Sequence, residues 1–138
     1  MKKDSIKKPW GKEELLENNS KYAVKRLTML KGHRCSLQFH EKKRETIYVL
    51  SGLLCLHYGE TVHQMESVRL APGDSFTIPE KLIHRMEGIA DSVYLEASSP
   101  ELDDVIRLSD DYDRELEVLK CPSESSSQQP VLVRGFDT

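Results

Sequence analysis

The sequence predicts an all-β domain of short antiparallel strands, arranged as a small barrel or a sandwich. Turn signals recur at short, even intervals: Lys31-Gly32, Ser51-Gly52, Tyr58-Gly59-Glu60, Pro72-Gly73-Asp74, Pro79-Glu80 and Glu87-Gly88. The segments between these turns have the length of strands, and many are rich in Val, Ile, Tyr, Leu and Thr. A chain of 138 residues has room for one such core and not for a second.

Eight segments are predicted as strands. They are residues 22–30, 34–40, 46–50, 53–58, 66–70, 75–78, 84–87 and 93–98. Apolar and polar residues alternate in 34–40, so that Ser36, Gln38 and His40 share one face of the strand. This polar face can line a ligand pocket inside a small barrel, or it can face water.

The ends of the chain differ from its middle. Helical patterns at 12–18 and 110–119 predict short terminal helices, and the Ser- and Gln-rich segment 122–129 predicts a flexible linker. We therefore divide the chain into an N-terminal arm (1–21), a barrel (22–114) and a flexible C-terminal tail (115–138). Val131, Leu132 and Val133 in the tail can add an edge strand to this subunit or to a neighbour.

Composition excludes several classes of partner. The 20 Lys and Arg nearly balance the 23 Asp and Glu, which disfavours nucleic acid and anionic membranes as partners. No apolar run reaches membrane-span length, and the basic start leads into acidic residues rather than a signal peptide, so we expect a cytoplasmic protein. Three widely spaced cysteines agree with a reducing compartment. The exposed edges of a small barrel predict a homodimer.

Candidate metal ligands stand between the turn glycines. Gln38 and His40 share one strand face, Glu45 follows after a short turn, and a later strand brings in a second histidine. The predicted ligands are Gln38, His40, Glu45 and His84. Two imidazole nitrogens and two oxygens suit Zn, Mn, Fe, Co or Ni and leave coordination positions open. The alternative is a set of ordinary polar residues in a barrel without metal.

These two segments resemble the paired motifs of the cupins, which hold a metal through His-x-His, Glu and His. Gln38 stands where the first histidine is usual. Over about residues 8–114 the chain resembles more closely the C-terminal domain of type II mannose-6-phosphate isomerases, a domain often fused behind a mannose-1-phosphate guanylyltransferase domain. The motifs that carry this resemblance are Lys8-Pro9-Trp10-Gly11, Val24-Lys25-Arg26-Leu27, Ser36-Leu37-Gln38-x-His40, Ser51-Gly52, Ile78-Pro79, His84-Arg85 with Glu87, and Asp104-Val105-Ile106-Arg107 with Asp110-Asp111-Tyr112.

The resemblance implies a double-stranded β-helix that binds a divalent metal. It also implies aldose–ketose isomerisation of a phosphorylated sugar or nucleotide sugar in carbohydrate or polysaccharide biosynthesis. Because Glu45 is needed as a ligand, the base that moves the proton is expected to be Glu96 or a hydroxide on the metal. Basic residues are expected to hold the anionic part of the substrate, or else to form structural ion pairs. These basic candidates are Lys25, Arg26, Arg85 and Arg107, and Arg107 is also a candidate for the catalytic machinery.

Three departures from the family pattern fall where specificity is expected to be set. Residues 41–44 replace a histidine-rich segment, Ile47 replaces a tryptophan, and the loop 98–103 is shortened. The resemblance does not include the guanylyltransferase half, so no nucleotide transfer is expected. A non-catalytic sugar-binding or regulatory cupin is the main alternative, and a metal-dependent oxygenase is a third.

Residues outside this constellation are expected to have structural roles. The remaining histidines, at positions 33, 57 and 63, are expected at the surface, because they lie near turns or in an outer strand. Cys35 and Cys55 alternate with apolar residues and are expected to behave as small core hydrophobes.

Overall fold

In the computed structural model, the residues described are 4–112, and they form eleven strands. In order these are β1 (Asp4–Lys8), β2 (Gly11–Asn18), β3 (Ala23–Met29), β4 (Leu37–Phe39), β5 (Glu45–Ser51), β6 (Leu54–Thr61), β7 (Gln64–Leu70), β8 (Ser75–Ile78), β9 (Ile83–Gly88), β10 (Ser92–Ser98) and β11 (Ile106–Ser109). Across 4–112 the structure has no helix, and so none that is long and apolar enough to cross a membrane.

The strands form two antiparallel sheets. One has six strands in the order β1-β2-β3-β10-β5-β8, and the other has five in the order β11-β4-β9-β6-β7. Buried side chains of both sheets meet in one hydrophobic core, to which Leu27 and Val49 contribute from the first sheet and Leu56 and Met86 from the second. The predicted all-β fold class is confirmed, as a jelly roll of two facing sheets.

All eight predicted strands are present, as β3 to β10. The predicted alternation around β4 is also confirmed. Ser36 and His40 are buried and, with Gln38, face a cavity between the sheets. Leu37 packs on the opposite face against Leu108 of β11. Of the two alternatives for this polar face, a pocket or water, the structure shows a pocket.

The predicted helix at 12–18 is wrong, because these residues form β2. This strand pairs with β3 along its length and with β1 through a two-residue hairpin at Pro9 and Trp10. The Glu- and Leu-rich sequence of 12–18 favours a helix locally, but sheet pairing outweighs that weak preference. Residues 4–8 and 11–18 of the predicted arm thus belong to the six-stranded sheet. Of the helix predicted at 110–119, residues 110–112 are not helical, and the remaining residues lie outside the described part of the chain. The predicted tail 115–138, with its linker and edge strand, also lies outside the described residues.

Gly11 fixes the entry to β2. Its φ of +153° is rare for residues with a side chain, and a Cβ there would lie 1.8 Å from the carbonyl oxygen of Thr28. We expect Gly11→Ala to lower the free energy of unfolding by about 2 kcal/mol, since the hairpin must move away from β3. Urea unfolding measures this loss, with Gly32→Ala as the control, because Gly32 also has a positive φ, +82°, but a Cβ there meets nothing within 4 Å. Equal losses in the two variants would contradict the role of close packing at Gly11.

Candidate metal centre

Three of the predicted ligands meet in the interior. His40 directly follows β4, and Glu45 begins β5 after a short turn. His84 lies on β9, which pairs with β4. The Nε2 atoms of His40 and His84 lie 2.9 and 3.3 Å from Oε2 of Glu45. Each of the three residues is only 3% exposed. Folding therefore assembles two imidazoles around one carboxylate, away from solvent.

Backbone carbonyls orient both imidazole rings. Nδ1 of His40 donates to the carbonyl oxygen of Asp104 at 2.6 Å, and Nδ1 of His84 donates to that of Leu82 at 2.9 Å. In the neutral rings the proton is then on Nδ1, so both Nε2 lone pairs point toward the carboxylate of Glu45. Three electron-pair donors at this distance repel one another unless a cation or a proton lies among them. The donor set fits a divalent transition metal.

The charge of Glu45 agrees with a ligand role. Burial acts to raise the pKa of Glu45, but hydrogen bonds with His40 and His84 and the charges of His84 and Lys43 hold it well below its usual range. The carboxylate is therefore ionised in the folded protein at neutral pH. Without a metal, Lys43 and a protonated His84 supply the positive charge that this buried anion needs, and a bound cation would supply it in the place of the imidazole proton.

Gln38 lies beside this group. Its Cα is paired with that of His84 across β4 and β9, and its side chain lines the same cavity as His40. Its Oε1 accepts a hydrogen bond from the hydroxyl of Ser36 at 3.0 Å. The structure thus places Gln38 next to the three-residue group, and its role as a fourth ligand stays a prediction.

A cavity of about 420 Å³ adjoins the centre. It is lined by Asp4, Ile6, Lys8, Trp10, Glu13, Leu15, Lys25, Leu27, Cys35, Ser36, Gln38, His40, Lys43, Glu45, Tyr94, Leu102, Asp103, Val105 and Arg107. The hairpin of β1 and β2 supplies one wall, which our sequence analysis missed because it set residues 1–21 apart as an arm. The alternation of Asp4, Ile6 and Lys8 is the signal that could have revealed a strand there.

Lys43 and Glu96 form a buried ion pair next to Glu45. Nζ of Lys43 lies 3.2 Å from Oε2 of Glu96 and 3.8 Å from Oε1 of Glu45. Burial, reinforced by the negative charge of Glu45, raises the pKa of Glu96 to about 7. Burial also opposes the charge on Lys43, but the attraction of Glu96 and Glu45 raises the pKa of its ammonium. One cation thus lies between two buried carboxyl groups.

Lys43 is a residue of the site that the sequence does not predict. Residues 41–44 stand in the sequence as a polar segment in place of the family's histidines, whereas Lys43 is buried between exposed neighbours. The available signal was its spacing, because a residue two positions before Glu45 can share the same face of an extended chain.

Asp104 holds the turn that carries Lys43. Its carboxylate accepts hydrogen bonds from the backbone N–H groups of Glu41, Lys42 and Lys43 at 2.6 to 3.1 Å. Burial acts to raise the pKa of Asp104, but these backbone hydrogen bonds lower it overall. The backbone carbonyl of Asp104 also accepts a hydrogen bond from His40. Asp104 therefore orders both the turn and a candidate metal ligand.

Two of the four predicted basic residues reach the cavity. Lys25 lines it and forms an ion pair with Glu13 at 3.0 Å. Arg107 also lines it, and its Nε is buried with no hydrogen-bond partner among the described residues. Arg107 and Lys25 therefore both bring positive charge to the cavity wall, and that of Lys25 is paired with Glu13.

The other two predicted basic residues, Arg26 and Arg85, do not line the cavity. Arg26 follows Lys25 on β3 and so points to the other face, where it binds both carboxylate oxygens of Glu14 at 3.0 Å. Arg85 follows His84 on β9, and its fully buried guanidinium donates to the carbonyl of Cys35 and to Asp111. Strand alternation explains both positions, since neighbours along a strand face opposite sides.

The expectation of surface positions is wrong for His57, which is 5% exposed. Its ring lies on the outer face of the five-stranded sheet, between Glu87 and Ser67. Cys55 is half-buried on that same face and is not part of the hydrophobic core, contrary to expectation. Cys35 does pack against the core as expected.

Comparison with known proteins gives one family and several relatives. The family model described as mannose-6-phosphate isomerase, C-terminal, matches residues 1–110. A mannose-1-phosphate guanylyltransferase from Salmonella muenchen is 30% identical over 107 residues, which are 73% of this chain and 21% of that protein. The chain spans about a fifth of the length of the curated relatives that it matches.

Solved structures share the fold. KdgF from Halomonas superposes with a TM-score of 0.64 at 22% identity, covering 72% of this chain and 88% of KdgF. The capsular polysaccharide assembling protein CapF from Staphylococcus aureus gives a TM-score of 0.69 at 16% identity, covering 79% of this chain and 32% of CapF. These likenesses show that the two-sheet architecture occurs in proteins of very different sequence.

Proposed function

The chain belongs to the family of mannose-6-phosphate isomerase C-terminal domains, a cupin family, and from this membership we propose that it isomerises a phosphorylated sugar or nucleotide sugar between aldose and ketose forms. The observation that carries the proposal is the convergence of His40, Glu45 and His84 beside a cavity of about 420 Å³. That volume is in the range of sites for small molecules. A relative named for mannose 1-phosphate supports the choice of a sugar substrate.

A divalent metal is part of the proposal. His40, Glu45 and His84 would hold it, with Gln38 as the predicted fourth ligand, and it would supply a Lewis acid for the carbonyl oxygen of the sugar. The identity of the metal is open among Zn, Mn, Fe, Co and Ni, because imidazole and carboxylate donors accept all of them.

Glu96 is proposed as the base that moves a proton between C2 and C1 of the sugar. It lies on the same face of β10 as Tyr94, which lines the cavity, but Glu96 itself is not among the lining residues. With a pKa of about 7 its carboxyl group both accepts and returns a proton at neutral pH. Lys43 lines the cavity in front of it and holds its carboxylate at 3.2 Å.

The anionic end of the substrate is proposed to bind near Arg107 and Lys25. The buried Nε of Arg107 has a hydrogen to donate, and a phosphate oxygen accepts such a bond strongly. Lys25 adds positive charge from β3 on the other sheet. This arrangement would leave the sugar ring between the basic residues and the candidate metal centre.

The test is a coupled assay for interconversion of fructose 6-phosphate and mannose 6-phosphate, with metal removed and then restored. Turnover that depends on the metal supports the isomerase. If no hexose phosphate is turned over by fully loaded protein, the isomerase proposal is wrong. Thermal stabilisation by sugar phosphates without product in NMR spectra would then favour the non-catalytic sugar-binding alternative.

We expect Glu96→Gln to lower kcat about 100-fold and to leave the metal content unchanged, because the amide cannot accept the proton but keeps the shape of the side chain. Steady-state kinetics and elemental analysis of the same preparation measure both quantities. Arg26→Gln is the control, since Arg26 points away from the cavity-lining face of β3 and is paired with Glu14. An unchanged kcat in Glu96→Gln would assign the proton transfer to another group.

A further inference from the structure

A second group of metal-binding side chains lies on the outer face of the five-stranded sheet. Cys55, His57 and Glu87 each offer a ligand atom there, and these atoms all lie within 4.8 Å of one another. We propose that these three residues bind a second divalent metal ion of the zinc class, through a thiolate, an imidazole and a carboxylate. The neighbouring Leu56 of β6 points into the core, so this site and the candidate metal centre lie on opposite faces of the sheet.

Strand geometry holds the three residues together. Cys55 and His57 are two positions apart on β6 and therefore share a face. Glu87 lies on β9, and its Cα is paired directly with that of Cys55. All three donors stand on paired strands and not on loops, which keeps their separation well defined.

Ser67 orients the imidazole of His57. Its hydroxyl lies 2.7 Å from Nδ1 of His57, and the two residues are Cα partners across β6 and β7. On the other side of the ring, Nε2 lies 2.8 Å from Oε1 of Glu87. When Nδ1 donates its proton to Ser67, the lone pair of Nε2 is directed toward Glu87, as in metal-bound histidines that are held by a neighbouring acceptor.

The contact between His57 and Glu87 requires only a small adjustment for zinc, and the sulfur of Cys55 lies within 4.8 Å of both ligand atoms. Bond lengths of about 2.0 Å to nitrogen or oxygen and 2.3 Å to sulfur place tetrahedral ligand atoms about 3.3 to 3.6 Å apart. The contact between His57 and Glu87, at 2.8 Å, must then lengthen by about half an ångström. The side chain of Glu87 is 28% exposed, so it is free to rotate by that amount.

Charge and softness select the metal. A thiolate from Cys55 and the carboxylate of Glu87 together balance a divalent cation, and sulfur favours zinc over magnesium or calcium. Burial and the charge of Glu87 raise the pKa of Cys55, whereas Arg69 and Ser67 act to lower it. A metal that binds here therefore displaces the thiol proton, and its affinity rises with pH. Arg85, the Cα partner of His57, has its charge engaged by Asp111.

Cobalt(II) distinguishes this site from the candidate metal centre, because only this site offers sulfur. We expect the full chain, reduced and stripped of metal, to bind two equivalents of cobalt. One of them is expected to give thiolate-to-cobalt charge-transfer absorption in the near ultraviolet. Cys55→Ser should lose that absorption and one equivalent of metal, and Glu87→Gln should weaken the second equivalent at least about 10-fold.

Variants of the other cysteines and of the candidate metal centre show whether the absorption comes from Cys55. Cys35→Ser and Cys121→Ser should keep the charge-transfer absorption, and His84→Ala should keep it while losing the other equivalent. Circular dichroism and thermal unfolding of each variant show whether it is folded. The proposal is overturned if the wild-type chain shows no sulfur-to-cobalt absorption, or if folded Cys55→Ser retains it.

Discussion

His84→Ala is expected to lower the affinity of the chain for a divalent metal by more than about 1,000-fold at the candidate metal centre and to abolish isomerase turnover. Loss of an outer-shell partner costs 10- to 100-fold in metal affinity, and loss of a ligand itself costs more. His84 is one of only two imidazoles within reach of Glu45 in the part of the chain that the structure describes. Isothermal titration with zinc or manganese measures the change.

His63→Ala is the matched control, because His63 is exposed and outside both groups of metal-binding side chains found among residues 4–112. It should bind metal and turn over substrate as the wild-type chain does. Conversely, His84→Ala with wild-type affinity for metal would show that His40, Glu45 and His84 do not form a metal site.

Lys43→Met is expected to lower the free energy of unfolding of the metal-free protein by about 3 to 5 kcal/mol at pH 8. Methionine has nearly the same length as lysine but no charge. Glu45 and Glu96 would then face each other in the interior without the ammonium that lies 3.8 and 3.2 Å from them. The cost arises because Glu96 must then either stay charged in the interior without its ammonium partner or take up a proton at a pH above its pKa, while Glu45 loses one of its positive neighbours.

The loss is expected to be smaller at pH 5. The pKa of Glu96 in the folded protein, about 7, lies above the ordinary glutamate value of 4.5, so folding favours its protonated form. Its contribution to stability is therefore full below about pH 4.5 and is lost as the pH rises through 7. At pH 5 the carboxyl of Glu96 is neutral, so removing Lys43 affects only the charge of Glu45, which keeps its hydrogen bonds with His40 and His84.

Urea unfolding at pH 5, 6, 7 and 8 measures this dependence. Lys42→Met is the control, since Lys42 is the exposed neighbour of Lys43 and should change stability little at any pH. A loss in Lys43→Met that is the same at every pH would mean that Glu96 does not titrate in this range.

Much of the fold follows from local sequence patterns. Turn residues at short intervals and alternating polarity predict β3 to β10, because these signals depend on neighbouring residues alone. The strand β2 was missed because its Glu- and Leu-rich sequence resembles a helix, and only pairing with β3 makes it extended. Such pairing depends on contacts distant in sequence, which periodicity does not report.

The candidate site also has a part that local sequence patterns predict and a part that depends on distant contacts. His40, Glu45 and His84 stand at recognisable spacings from turn glycines, and the structure brings them together as a group. The partners of that group could not be predicted. Lys43 appears within a polar segment, and its burial between two carboxyl groups depends on β10, which lies some 50 residues further along the chain.

Asp104 and its neighbours in the chain have different roles at the cavity. Its carboxylate and carbonyl fix the turn at 41–43 and the ring of His40, whereas Leu102, Asp103 and Val105 beside it present their side chains to the cavity. The loop can therefore exchange those three residues while Asp104 keeps the candidate ligands in place. The residues that would contact the proposed ligand and the residue that orders the candidate metal centre are therefore different positions, only one residue apart.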